Sequence, residues 1–323
     1  MPDGSFSEIL VVDLLGGIGD LVMVLPAVHA LAASHPGARL RVVTHEPGAG
    51  LLRGDPAVTG VRVPADGGER DAVAAELAER RPDLAVTTTR YGGIPDLLRG
   101  SGARCVTDLW RRPPPDELVG DRYLRILAEE GVLEPSTVDP VPRLRLSTGE
   151  RADGARALAA LLGPTRRRPV VLVPEAGMAV KLWPRRRWKE LVAILDGLGV
   201  PVATAPADRP LRELAALFAD VARRGGVVVG GDTGPLRVAG ASGARTVALF
   251  GPTLASRYGL GDPAATHLQG RPDCPYRRPT AITTQVCWWH ADCPLSPTEP
   301  ECMADIPAAG VAEAVLRSLT ARP

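Results

Sequence analysis

The sequence predicts an α/β protein built from two doubly wound parallel-sheet domains, and three observations predict it. Short apolar runs alternate with stretches of helical period along most of the chain. A proline-interrupted segment divides the 323 residues near their middle, as expected for a chain long enough for two cores of about 150 residues each. The second half carries one glycine-rich stretch that reads strand, turn, helix, strand, running from Gly226 to Thr253.

In the first half, Ile9-Leu-Val-Val-Asp-Leu-Leu15 reads as a buried strand, and Leu21, Val24, Leu25, Val28 and Leu31 then recur at helical spacing. Gly16-Gly-Ile-Gly-Asp20 is therefore the turn between them. Further strands are expected near 40–44, 61–63, 84–88 and 104–107, with helices near 71–80 and 116–131. Prolines 135, 140 and 142 break any regular element, which places a domain boundary between residues 145 and 146. After it come a helix near 151–162, a strand at 169–174, a helix at 187–198, a strand at 200–205, a helix at 211–222 and the glycine-rich stretch. Residues 260–303 hold many prolines, Trp288-Trp289 and four cysteines, and predict an ordered excursion with little regular structure. A final helix, 307–319, closes the chain and can return toward the first domain.

Hydrophobic content of 45% with 23% charged residues is ordinary for a globular enzyme, and a net charge of +1 argues against a general nucleic-acid or membrane-surface binder. No apolar run reaches the roughly 20 residues that span a bilayer, and the first eight residues lack a signal-peptide pattern; the expected location is cytoplasmic. Of 38 basic residues only Lys181 and Lys189 are lysine, so each carries more information than a lysine usually does. The Arg, Ala, Gly and Pro enrichment has the look of a GC-rich genome.

The Gly226–Thr253 stretch places Asp232, Thr233 and Gly234 at the carboxyl edge of a parallel sheet, where a helix amino terminus offers free N–H groups to an anion. An acid beside such a cradle suits a ligand with a phosphate to receive and hydroxyls to hold, such as a sugar nucleotide. A capped helix in an ordinary sheet is the alternative. Gly16, Gly17 and Gly19 allow close backbone approach or positive φ at the first turn. As a dinucleotide fingerprint that turn is weak, because Gly17-Ile-Gly19-Asp-Leu-Val22 lacks the third glycine.

Three separated motifs, spread over nearly the whole chain, resemble glycosyltransferase family 9, the heptosyltransferase-like enzymes of the GT-B fold. They are Ile9-Leu-Val-Val through Gly19-Asp20 and its helix to Leu31, Val171-Leu-Val-Pro with Lys181-Leu-Trp-Pro and Arg187-Trp-Lys-Glu-Leu191, and Asp232-Thr-Gly-Pro with Phe250-Gly-Pro-Thr253. The Cys302-Met-x-x-Ile306 ending supports them. The resemblance implies two Rossmann-like domains facing an interdomain cleft, residues 1–145 binding the acceptor and residues 146–323 the nucleotide sugar.

On that resemblance Asp20 is the general base, taking a proton from the acceptor hydroxyl while the anomeric carbon is attacked opposite the leaving group, so that the configuration inverts. A positioned carboxylate strengthens such attack by roughly 10²–10⁴-fold. Asp20 as a plain helix cap is the alternative. Lys181, in the loop Glu175-Ala-Gly-Met-Ala-Val-Lys181, matches the lysine that neutralises the departing diphosphate, an electrostatic task greatest in the transition state. Surface solvation is its bland alternative. Asp232 is expected to accept from sugar hydroxyls, and Thr233 and Gly234 to donate backbone N–H groups to phosphate. Arg187 is a phosphate contact or one of a solvated Arg185-Arg-Arg187 run. Trp183 is packing or a platform for the base.

Two features depart from the family pattern. Where members commonly carry His in Asp-Thr-Gly-x-x-His, this chain has Arg237, a permanent cation that fits diphosphate binding or a different donor. The segment between Val202 and Val227 is also short, so the usual acidic contact to ribose has no match, and Asp208 is the candidate left. Cys274, Cys287, Cys293 and Cys302 lie within 29 residues with gaps of twelve, five and eight, a poor match to closely paired zinc ligands. Structural thiols, a zinc site that includes His290, and a disulfide are the three readings.

The expectation is an inverting glycosyltransferase that needs no metal or cofactor and moves a sugar, a heptose first of all, from a nucleoside diphosphate to a hydroxyl. Its acceptor would be a natural product or an envelope glycan, the composition favouring the former. A nucleotide-sugar epimerase of similar fold and a non-catalytic nucleotide-sugar binder are the rival readings.

Overall fold

In a computed structural model of the chain, residues 5–111, 114 and 116–321 are described. The chain divides into two compact units, one of Met1–Pro113 with Val119–Arg145, the other of Pro114–Leu118 with Leu146–Pro323.

The first unit runs β1 (Glu8–Asp13), α1 (Ile18–Ser34), β2 (Arg39–Thr44), α2 (Ala49–Leu52), β3 (Gly60–Arg62), α3 (Glu69–Glu79), β4 (Leu84–Thr87), α4 (Ile94–Gly100), β5 (Arg104–Val106) and α5 (Val119–Glu129). Its five strands are all parallel, in the order β3-β2-β1-β4-β5. A central strand covered on both faces must be apolar at every position, and Ile9, Leu10, Val11 and Val12 are at most 1% exposed. One side of the core joins Leu10, Val12 and Leu14 to Val43, Val73, Ala85, Ile94 and Leu98.

The second unit runs α6 (Thr148–Leu162), β6 (Val170–Val173), α7 (Arg185–Gly197), β7 (Val202–Thr204), α8 (Leu211–Arg223), β8 (Val227–Gly231), α9 (Gly234–Ala241), β9 (Arg245–Phe250), α10 (Ala255–Tyr258), β10 (Ala265–Gln269), α11 (Glu301–Ala304) and α12 (Ala308–Thr320). This sheet too is parallel, in the order β10-β9-β8-β6-β7. The fold class is thus α/β, two doubly wound five-stranded sheets of the GT-B kind.

The differences from expectation have local causes. Helix α6 begins at Thr148 because Ser147 and Glu150 form a reciprocal capping box, which fixes the start before the apolar period does. Helices α2 and α4 are too short to show a period. Strand β10 lies inside the excursion expected to be irregular; Ala265–Gln269 pairs with β9 at the sheet edge and is half-buried throughout, so it lacks the apolar run of a central strand. Helix α12 packs on α7, β8, β9 and β10 of its own unit.

Topology fixes where ligands meet each unit. In an open parallel sheet the crevice forms beyond the carboxyl ends of the strands where the winding reverses. That point lies between β1 and β4 in the first unit and between β6 and β8 in the second.

Candidate active site

At the β1–β4 switch point, the turn after β1 is held by the end of β4. Leu14 N donates to Thr89 Oγ1 at 2.9 Å, and the Tyr91 hydroxyl donates to the Leu14 carbonyl. Gly16 has φ +89°, the left-handed conformation that requires glycine here. Gly17, extended at φ −90° and ψ 137°, occupies the cap position of α1. A Cβ at 17 would strike Asp20 Oδ2, so the absence of a side chain lets the Asp20 carboxylate fold back over the turn. Asp20 is the third residue of α1, half-buried, where the helix end favours its negative charge. It is not the cap. Gly19 belongs to the helix and not to the turn.

Asp13, which carries no signal in the sequence, lies close by. Its carboxyl closes β1, is 2% exposed, and accepts from the Thr88 hydroxyl at 2.5 Å. Burial pushes it up to about 7; the Thr88 hydrogen bond opposes that shift and the nearby charge of Asp20 adds to it. Asp13 looked like one polar break in an apolar strand, which is why it gave no signal.

At the β6–β8 switch point Lys181 and Asp232 meet. Lys181 Nζ donates to Asp232 Oδ2 at 3.0 Å and to the Asp232 carbonyl at 3.1 Å. Arg237, 5% exposed, donates to Asp232 Oδ1 at 2.6 Å and to the Tyr258 carbonyl, and Thr253 Oγ1 donates to Oδ2 at 2.9 Å. Burial alone would raise the Asp232 pKa, but Lys181 and Arg237 hold the carboxyl well below the usual carboxylate range. The carboxylate expected to accept from sugar hydroxyls accepts here from Lys181, Arg237 and Thr253, and Arg237, expected as a cation suited to diphosphate binding or a different donor, is its buried counter-ion. Gly231 makes the meeting possible: a Cβ there would stand 3.1 Å from the Lys181 carbonyl.

Thr233 is the cap residue of α9, and its hydroxyl is buried with no hydrogen-bond partner. Gly234 opens the helix, and Pro235 follows it with no N–H to give. The unpaired hydroxyl and the helix end lie directly after Asp232, as a phosphate cradle requires.

The remaining candidates fall elsewhere. Arg187 pairs with Glu190 at 3.0 Å and the Ala304 carbonyl at 3.5 Å. Trp183 is packing: 3% exposed, edge-on to Trp188 with centroids 4.8 Å apart, and donating to the Ile306 carbonyl. Asp208 is exposed in the turn before α8. All five cysteines are free thiols. Cys274, Cys287, Cys293 and Cys302 line one cavity of about 20 Å³, and burial pushes the Cys302 thiol up to about 12. Among the described residues no three His, Cys, Asp or Glu side chains are grouped to hold a metal ion. Trp288, unassigned in the sequence, places its ring 5.5 Å from Lys181 Nζ.

No curated protein sequence matches the chain. Several solved structures are similar to it in fold. A glycosyltransferase family 9 protein from Veillonella parvula shares 16% identity at a TM-score of 0.77, with 97% of each chain covered. E. coli ADP-heptose lps heptosyltransferase II shares 18% at 0.70, covering 97% of this chain and 98% of its own. E. coli heptosyltransferase WaaC with ADP-2-deoxy-2-fluoro heptose shares 16% at 0.65, covering 96% and 99%. The model of glycosyltransferase family 9 (heptosyltransferase) matches residues 101–278, more than half of the sequence. The chain belongs to glycosyltransferase family 9, and is a glycosyltransferase that uses a nucleotide sugar.

Proposed function

We propose that the protein is an inverting glycosyltransferase that moves a heptose from a nucleoside diphosphate, ADP first, to an acceptor hydroxyl. The observation that carries this reading is the Lys181 ammonium fixed on Asp232 beside the α9 amino terminus. There a fixed cation, the Thr233 hydroxyl and the helix-end N–H groups stand ready for a diphosphate whose charge grows as the glycosidic bond breaks. The choice of ADP-heptose draws on the E. coli relatives, whose names carry it.

Asp20 is the proposed general base. Its carboxylate lies over the β1–α1 turn and takes the acceptor proton as the new bond forms, leaving a neutral acid that solvent restores. The first unit then holds the acceptor and the second the donor. In this scheme Lys181 supplies the charge that a divalent metal supplies in other transferases, so neither metal nor cofactor is required. The acceptor we favour is a natural product or an envelope glycan, and the working location cytoplasmic; among the described residues no helix is long and apolar enough to cross a membrane.

The test is a panel of nucleoside-diphosphate sugars incubated with and without candidate acceptors in excess EDTA, reading free nucleotide and product mass. Acceptor-dependent nucleotide release supports the transferase. Sugar conversion without an acceptor, or donor binding with no turnover, removes it.

A further inference from the structure

We propose that Trp288 is a positioning residue for Lys181, its indole face holding the ammonium where, on the reading above, it meets the donor diphosphate. The inference rests on that reading and adds to it a residue from the proline-rich excursion.

Lys181 has three fixed neighbours: Asp232 Oδ2 at 3.0 Å, the Asp232 carbonyl at 3.1 Å, and the Trp288 ring at 5.5 Å. A lysine side chain gives up rotamer freedom when it is fixed, and each further neighbour narrows the positions left to it. An aromatic face is such a neighbour, attracting the cation through the ring quadrupole. The Lys181 side chain is 19% exposed, so it is not closed off from solvent.

The excursion is built to deliver that ring. Arg277, 8% exposed, donates to the carbonyls of Gly251, Gly270 and Pro272, tying the base of the excursion to the end of β9. Gln285 accepts from Arg278 N at 2.6 Å, and its own carbonyl accepts from Trp288 N at 3.0 Å. Trp288 is 6% exposed while its neighbour Trp289 is 65% exposed, so the pair is split between a buried ring and a surface one. The buried ring presents its face to a cation 5.5 Å from its centroid.

ADP serves as the probe, its dissociation constant read by calorimetry. Trp288→Leu is expected to weaken ADP roughly 2- to 30-fold, the range of a cation–π contact, and Trp288→Phe to recover part of that loss. Because a smaller side chain also disturbs packing, the deciding series replaces every tryptophan with mono-, di- and trifluorinated analogues, which keep the ring's shape and drain its face of negative charge. ADP binding is expected to weaken stepwise with fluorine number in the wild-type chain and to lose that dependence in Trp288→Phe and in Lys181→Ala. No stepwise dependence, or the same dependence in Trp288→Phe, overturns the assignment. If Lys181→Ala leaves ADP binding unchanged, it is the diphosphate reading that fails; if Lys181→Ala weakens binding while fluorination does nothing, the Trp288 assignment fails alone.

Discussion

Asp232 is held between two cations, Lys181 Nζ 3.0 Å from one carboxylate oxygen and Arg237 Nη2 2.6 Å from the other. The two cations do different work. Lys181 is partly exposed and, on the proposed function, meets the ligand, whereas Arg237 is 5% exposed and spends its guanidinium on Asp232 and the Tyr258 carbonyl.

Lys181→Ala removes the partly exposed half of this arrangement. Loss of one preorganised donor to a developing charge costs about 10²–10³ in rate, so kcat/KM for the donor is expected to fall by that order. Asp232 keeps Arg237 and Thr253, and the melting temperature should move little. Steady-state kinetics beside thermal unfolding checks both halves; an unchanged kcat/KM removes the diphosphate role.

Arg237→Leu removes the buried half. Asp232 keeps Lys181 and Thr253 but loses its buried cation, and the Tyr258 carbonyl loses its donor, so the variant is expected to lose about 1–3 kcal/mol in denaturant unfolding, more than Lys181→Ala. A loss below about 1 kcal/mol would show that Asp232 does not depend on Arg237.

Asp13 gives the pH dependence. Its folded pKa of about 7 stands above the ordinary 3.8, so between pH about 4 and 7 the folded chain keeps a proton that the unfolded chain has released. Stability from this group therefore falls as pH rises through that window and levels off above it. The gap corresponds to an upper figure of about 4 kcal/mol, at 1.36 kcal/mol for each pH unit. Asp13→Asn keeps an acceptor for Thr88 and removes the ionisation. It is expected to be more stable than wild type above pH 7, with the difference shrinking toward pH 4 in unfolding series across that range. Parallel stability curves for the two chains would contradict a buried neutral acid.

The parts of this picture that the sequence revealed are those governed by local pattern. The central strands are legible because burial on both faces demands unbroken apolar runs, and Asp232-Thr-Gly because a strand, a glycine turn and a helix follow within a few residues. Lys181 stood out through its rarity and its Trp-Pro neighbours. What stayed hidden depends on residues far apart in sequence. Arg237 is visible as a departure, but its contact with Asp232 five residues back is not. Thr253, at the end of the same motif, gave no hint that its hydroxyl would close the third side. Strand β10 lacks a period because an edge strand with His267 and Gln269 is only half-buried. Trp288 sits among prolines, where no period points a side chain anywhere, and only the folded excursion brings it to Lys181.

The central claim is acceptor-dependent sugar transfer with Asp20 as the base. The measurement that tests it most directly is the rate of nucleoside-diphosphate release with saturating donor, with and without acceptor, in the wild-type chain and in Asp20→Asn. Acceptor is expected to raise the wild-type rate, and Asp20→Asn to lower that acceptor-dependent rate by roughly 10²–10⁴-fold while ADP binding stays as in wild type. A wild-type rate indifferent to acceptor, or an Asp20→Asn chain that is folded and equally fast, would contradict it.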